Sequence, residues 1–200
     1  MLNIKDFEGL PSWPRLEQLS KSVALREVGF ALEFGVFNGN SLNHLATLVK
    51  EQNFYGFDSF EGLPEDWMLT DTHKNPKGLF KTVVPEVCDN VQLVIGWFSD
   101  TLPGWLEKHQ GNVGFLHMDA DLYSSTKYVL ETLNNRIVKG TVIVFDELCE
   151  WRDTSALKVS YKNWRDGEWK ALQEWLDGYG REVKALSKGQ YLEAAFVVTK

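Results

Sequence analysis

The stretch Ala31-Leu32-Glu33-Phe34-Gly35-Val36-Phe37-Asn38-Gly39-Asn40-Ser41 decides how this chain is read. An apolar run carrying Glu33 ends in two glycines, Gly35 and Gly39, and a helical pattern starts at Ser41. Glycines in such a turn let backbone approach a ligand that a Cβ would block. The helix behind them aims free N–H groups at the same place. Strand, acid, glycine turn and helix together suggest a nucleotide-like ligand. A plain strand-to-helix turn has the same outline.

Working outward, further apolar, β-branched runs stand at Val28–Phe34, Asn53–Phe57, Val91–Ile95, Val113–Met118 and Thr141–Phe145. Near-continuous apolarity suggests strands covered on both faces, as in a parallel sheet. Leu42, Leu45, Ala46 and Val49 follow helical spacing behind Ser41 as N-cap. Ser124 or Ser125 is expected to cap a helix that buries Val129, Leu130 and Leu133. Gly167–Asp177 reads as another helix. Arg181–Leu186 and Tyr191–Thr199 read as a hairpin turning at Ser187-Lys188-Gly189-Gln190. The expectation is one α/β domain over residues 1–200: a Rossmann-like, mostly parallel sheet with a C-terminal antiparallel hairpin and helices on both faces. Residues 1–27 form a short leading segment. Residues 61–80 make a long polar loop, which at that length is a candidate lid.

Two hundred residues with 44% hydrophobic content suffice for one well-buried domain. A net charge of −7 argues against nucleic acid as the main partner, because phosphate binding needs a basic surface. No run of about 18 apolar residues signals a membrane span, and the first residues lack a signal-peptide layout. The two cysteines, Cys88 and Cys149, lack CxxC spacing and read as reduced thiols of a cytoplasmic protein. The eight tryptophans are expected mostly in core, with a minority lining a pocket.

Four places can carry chemistry. The first is the opening turn, in which Glu33-x-Gly35-x-x-x-Gly39 is not a G-x-G-x-x-G dinucleotide fingerprint and Val36-Phe37 leaves little room for two phosphates. The second is Tyr55-Gly56-Phe57-Asp58-Ser59-Phe60, where Asp58 at a strand tip is placed to accept ribose hydroxyls, though such an acid is also a common turn cap. The third is Phe115-Leu116-His117-Met118-Asp119-Ala120-Asp121: residues two apart share a strand face, so His117, Asp119 and Asp121 point one way. Asp146-Glu147 closes the next strand about 5 Å away. Crowded carboxylates repel unless protonated or bridged by a cation, and such oxygen ligands suit Mg²⁺ or Mn²⁺. The alternative is one helix cap and one solvated acid. The fourth is Gly96-Trp97-Phe98, either a wall for a flat base or plain core.

Taken in order, E-F-G-V-F-N-G-N-S, Y-G-F-D-S-F-E-G-L-P, G-W-F-S-D-T-L-P, L-H-M-D-A-D-L-Y-S-S-T and the strand ending F-D-E resemble the macrocin O-methyltransferase (TylF-like) family. Its members are class I S-adenosylmethionine-dependent enzymes. The likeness runs from about residue 28 to 148. It implies a seven-stranded sheet whose last strand is antiparallel. It implies S-adenosylmethionine over the glycine turn, with Glu33, Gly35, Val36, Phe37 and Ser41 near its amino-acid part. Asp58 would hold the ribose, Ser59 and Phe60 would lie beside the adenosine, and Trp97 and Phe98 would flank the adenine. A divalent ion, Mg²⁺ or Mn²⁺, would sit on Asp119, Asp146 and Glu147. The family often has Asp-Asp where this chain has Asp146-Glu147, and members carry extra N-terminal helices for lids and association.

The function expected is therefore methyl transfer to a hydroxyl of a sugar or glycosylated small molecule. A divalent ion touching the hydroxyl lowers its pKa, and Asp119, or next His117, takes the proton. His117 as a satisfied strand histidine is the bland alternative. A metal-dependent enzyme for catechols or phenols is the nearest rival, since Trp151–Trp175 would stack on either ring type. A nicotinamide-dependent oxidoreductase and a non-catalytic binding module are more distant. The expected partner is a small-molecule acceptor, with neither nucleic acid nor membrane, and a homo-oligomer is compatible with it.

Overall fold

In the computed structural model, which describes residues 2–152 and 160–200, the alternation read from the apolar runs is realised. The chain begins with a 3-10 turn (Ile4–Phe7), strand β1 (Ser12–Trp13) and helix α1 (Arg15–Val23). There follow β2 (Phe30–Phe34), α2 (Asn40–Leu48), β3 (Phe54–Asp58), a small ribbon of β4 (Trp67–Met68) and β5 (Lys74–Asn75), then β6 (Val91–Ile95). Next come α3 (Phe98–Lys108), β7 (Val113–Met118), α4 (Tyr123–Leu133) and β8 (Ile137–Phe145). Helix α5 (Glu168–Gly178) and the hairpin β9 (Val183–Gly189) and β10 (Ala194–Val198) complete it.

The sheet order is β1-β9-β10-β8-β7-β2-β3-β6. Strands β6, β3, β2, β7 and β8 pair in parallel, while β10 lies antiparallel between β8 and β9. The chain order reverses between β2 and β7, and a crevice opens beyond the carboxyl ends of strands at such a switch point. Strand β7 is buried along its whole length, as two-sided cover requires. One strand was not anticipated: β1 adds to β9 in parallel, making eight strands where seven were expected. Two residues are too few to show a period.

Local departures have identifiable causes. Helix α2 is capped by Gly39 in the left-handed region, while the Ser41 hydroxyl donates to Glu33 instead of capping. Helix α4 starts at Tyr123 with no side-chain cap, and Ser124 donates to Glu65. Strand β8 begins at Ile137, ahead of Gly140, because the Thr141 hydroxyl accepts from Val138 N–H and donates to the Val113 carbonyl. The hairpin turns at residues 190–193, later than expected, because the Glu193 carboxylate accepts the N–H groups of Tyr191 and Leu192.

The 61–80 loop is closed at its neck by Leu63 N–H to Leu79 C=O and Gly78 N–H to Leu63 C=O. Leu63, Trp67 and Leu69 are buried with Leu122, Tyr161 and Trp164 in a satellite cluster. Trp67 meets the Tyr161 ring edge-on at 5.2 Å, so it anchors the loop and does not face the crevice. Of the tryptophan-rich segment, residues 153–159 lie outside the described residues; Trp164 and Trp175 are buried.

Phe196 tests the placement of β10. It is fully buried and meets Phe7 and Phe145 edge-on at 5.5 and 5.9 Å. Phe196→Ala is expected to cost about 3–5 kcal/mol in urea unfolding; a loss near that of an exposed site would be incompatible with an inner β10.

Candidate active site

The crevice has a volume of about 480 Å³ and lies at the carboxyl ends of β2, β3, β7 and β8. Its walls begin with the glycine turn. Gly35 has φ +93°, and a Cβ there would stand 1.7 Å from the Asp119 carbonyl oxygen. The glycine is demanded first by the neighbouring strand, a reason the sequence reading assigned to a ligand. Gly39, at φ +75°, meets nothing closer than 3.4 Å, so there the conformation alone makes the demand.

Asp58 ties this turn to the end of β3. Its Oδ2 accepts from Val36 N–H and Phe37 N–H at 2.8 Å each, and its Oδ1 accepts from Phe60 N–H at 2.7 Å. A carboxylate accepts about four hydrogen bonds, so roughly one position remains for a ligand. Among the described residues, the non-glycines with left-handed φ are Phe37, Phe60, Phe80 and Asp121. Phe37, Phe80 and Asp121 line the crevice, and backbone strain of this kind collects at functional sites.

Of the expected site residues, Gly35, Phe37, Asp58, Ser59, Trp97, Phe98, Asp119, Asp146 and Glu147 line the crevice. Glu33, Val36, Ser41, Phe60 and His117 are buried and absent from its walls. Glu33 is held from two sides. Ser41 Oγ donates to its Oε1 at 2.9 Å, and His117 Nδ1 lies 2.8 Å from its Oε2.

His117 does not fit the role of proton acceptor. Its ring is fully buried, and its Nε2 lies 3.5 Å from Asp146 Oδ1. Burial opposes charge on the imidazole, but Glu33 and then the bonds to Asp146 and Glu33 outweigh it, lifting its pKa to about 10. Both ring nitrogens face carboxylates and the ring is sealed from the crevice, an arrangement that suits holding Glu33 and Asp146 in place.

The acids beyond it crowd as expected, with different partners. Asp119 and Asp146 are both bonded by Arg15, whose Nε donates to Asp146 Oδ1 at 2.6 Å and whose terminal nitrogen donates to Asp119 Oδ2. Burial, then Asp146, pushes Asp119 up to about 7 against the pull of Arg15 and His117. Asp146 is held low because Arg15 and His117 overcome its burial. Burial and neighbouring acids push Asp121 and Glu147 well up, and burial raises Glu168 to about 8. The candidate ligand atoms form two overlapping sets, His117–Asp119–Asp146 and Asp119–Asp121–Glu147, each within 4.8 Å. The expected trio Asp119, Asp146 and Glu147 is thus split across two sets that share Asp119. Glu147 Oε2 is buried and has no hydrogen-bond partner. Hard oxygen donors in negative surplus, one of them orphaned, fit a divalent ion.

Arg15 and Glu168 escaped the sequence reading, and Asp121 was read only as sharing a face. Arg15 carries a signal in retrospect: a cation in the first turn opposes the helix dipole and needs another reason to be there. Glu168, fully buried at the start of α5, accepts from Thr126 Oγ1 and Glu147 N–H.

A family model described as a methyltransferase domain matches residues 32–148, the span that builds this crevice. The chain belongs to this methyltransferase family. A curated relative from Streptomyces olivaceus, 8-demethyl-8-(2,3-dimethoxy-α-L-rhamnosyl)-tetracenomycin-C 4′-O-methyltransferase, is 28% identical over 142 residues, 60% of this chain and 52% of the relative. The chain therefore spans about half the length of that relative. The calicheamicin methyltransferase CalS11 is similar in structure, with a TM-score of 0.67, 25% identity, and coverage of 91% of this chain and 76% of CalS11. TomG from Streptomyces achromogenes, solved with S-adenosylmethionine, shares the fold at a TM-score of 0.58 and 18% identity, covering 98% of this chain and 84% of TomG. Among the described residues, no helix is long and apolar enough to cross a membrane.

His117 supplies the test of its own reassignment. Its folded pKa, about 10, lies above the ordinary 6.5. Its contribution to stability is therefore complete below pH 6.5 and is lost as pH rises through 10. In an NMR titration the imidazole signal is expected to stay flat from pH 6 to 8.5. A midpoint near 6.5 would restore His117 as a base.

Proposed function

We propose that this chain transfers the methyl group of S-adenosylmethionine to a hydroxyl of a sugar or glycosylated small molecule, as a TylF-like O-methyltransferase assisted by Mg²⁺ or Mn²⁺. The observation that carries the reading is one crevice with two unlike ends. A glycine turn clamped by Asp58 stands at one end and a pile of buried carboxylates at the other. The sugar acceptor is supported by the rhamnosyl group in the curated relative's name.

Asp58, rigidly held by three backbone N–H groups, keeps about one acceptor position toward a ribose hydroxyl. Gly35, Phe37 and Ser59 form the wall beside it, while Trp97 and Phe98 present flat surfaces. Glu33, Val36, Ser41 and Phe60 act from behind by fixing the turn. Asp119, Asp146 and Glu147 would hold the divalent ion, which, when bound, acidifies and orients a hydroxyl that touches it.

The sulfonium methyl is already an activated electrophile, so the protein's task is alignment and proton removal. Asp119 faces the crevice, and before an ion binds, burial and Asp146 raise its affinity for a proton above that of an ordinary carboxylate. With His117 enclosed behind the crevice wall, Asp119 is the base of choice.

A phenolic acceptor is the second reading. The exposed rings of Phe37, Phe80 and Trp97 surround the crevice and suit stacking on an aromatic ring.

Two measurements test the proposal. Asp58→Ala is expected to weaken S-adenosylmethionine binding by about 1.5–3 kcal/mol in calorimetry; unchanged affinity would remove Asp58 from the ribose. With glycosides, nucleotide sugars and catechols as acceptors, mass spectrometry is expected to show a gain of one methyl on a sugar. EDTA and Asp119→Ala should each abolish that gain while cofactor binding survives. Full turnover in EDTA would eliminate the metal.

A further inference from the structure

We propose that Arg15 is a positioning residue that clamps Asp119 and Asp146 so that their remaining oxygens face a divalent ion in the crevice. This rests on the metal reading of the site given above.

The guanidinium takes one oxygen from each aspartate, Oδ2 of Asp119 and Oδ1 of Asp146. Among the described residues, nothing is hydrogen-bonded to the other oxygen of either one. The two aspartates follow different strands, β7 and β8, and repel each other. A planar fork with fixed donor directions holds two carboxylates at one spacing, which an ammonium does not do. Metal-ligating carboxylates are themselves oriented by such outer hydrogen bonds.

Arg15 is delivered by a rigid support. It is the first residue of α1, directly after Pro14. Three residues on, the buried Gln18 donates to Ser187 Oγ of β9 at 2.9 Å. Leu19 and Val23 bury the same helix against the sheet. The backbone under Arg15 is therefore tied to β9 by a hydrogen bond and packed on β8, the strand that ends in Asp146.

Asp119, Asp121, Asp146, Glu147 and Glu168 crowd one end of the crevice, and of these Arg15 hydrogen-bonds Asp119 and Asp146. The orphaned Glu147 Oε2 marks the side from which a further cation is still needed.

The test is a Mn²⁺ titration of the purified chain followed by EPR, without S-adenosylmethionine or acceptor. It uses wild type, Arg15→Gln, Arg15→Lys and Asp119→Asn, with circular dichroism on each to verify the fold. Arg15→Gln is expected to weaken Mn²⁺ binding by about 10–100-fold. Arg15→Lys, which keeps the charge and loses the fork, should fall between it and wild type. Equal or tighter binding by Arg15→Gln would overturn the clamp, and tighter binding would mark Arg15 as a competitor of the ion. Binding by Arg15→Lys equal to wild type would reduce the role to charge alone and also overturn it. If wild type binds no Mn²⁺, the metal reading itself fails. If Asp119→Asn binds as wild type does, the ion sits elsewhere and both readings fall.

Discussion

Burying Glu33 at the end of β2 is the constraint on which the site depends. A carboxylate with 1% exposure needs partners for both oxygens, and Ser41 and His117 supply them. Because Glu33 stands opposite His117 in the β2–β7 register, the pair pins two strand tips to each other. His117 stands opposite Val144 of β8, two residues before Asp146, and reaches Asp146 with its second nitrogen. A ladder of alternating charge thus crosses three adjacent parallel strands just below the crevice floor. Remove one rung and a charge is left buried without its partner, which is far costlier than never having buried the pair.

The same ladder explains why the crevice is acidic yet stable. Its cations, His117 and Arg15, reach the carboxylates from the floor and from α1. The open side is left to Asp119, Asp121 and Glu147. Across the cavity, Asp58 is satisfied by backbone N–H groups, so its charge is spread over the turn and not over a side-chain partner. The two ends are thus prepared in different ways, one rigid and hydrogen-bonded, the other short of positive charge.

Much of this was legible in the chain. Runs such as Val113–Met118 read as strands because two-sided burial leaves no polar alternation, and all six residues are buried. The glycine turn, Asp58 and the acids after β7 and β8 were found because each sits at the end of such a run. What escaped depends on distance in sequence. Arg15 lies 104 residues from Asp119 and 131 from Asp146, so no local pattern joins them. Strand β1 is two residues long. The hairpin was placed too early because Ser187-Lys188-Gly189-Gln190 resembles a turn, while the Glu193 carboxylate decides where the N–H groups are satisfied. Asp121 was read on the same strand face as Asp119, but its left-handed backbone ends that alternation and turns it toward Glu147.

Methyl transfer from a sulfonium disperses a positive charge as the bond to carbon breaks. A strongly negative field at the sulfur would bind the charged cofactor well and hold it in its ground state, lowering affinity for the transition state by comparison. An acid-rich crevice therefore serves such a reaction only if its charge is compensated near the acceptor. Here the surplus is concentrated at Asp119, Asp121 and Glu147, and Asp58 at the other end is already engaged by N–H dipoles. Under the function proposed, a cation held among those acids would cancel the field where the sulfonium loses its charge. A diphosphate cofactor would find bulky Val36-Phe37 and no G-x-G-x-x-G fingerprint at this turn to receive it. The turn, more than the charge of the crevice, separates a sulfonium donor from a dinucleotide on the same sheet.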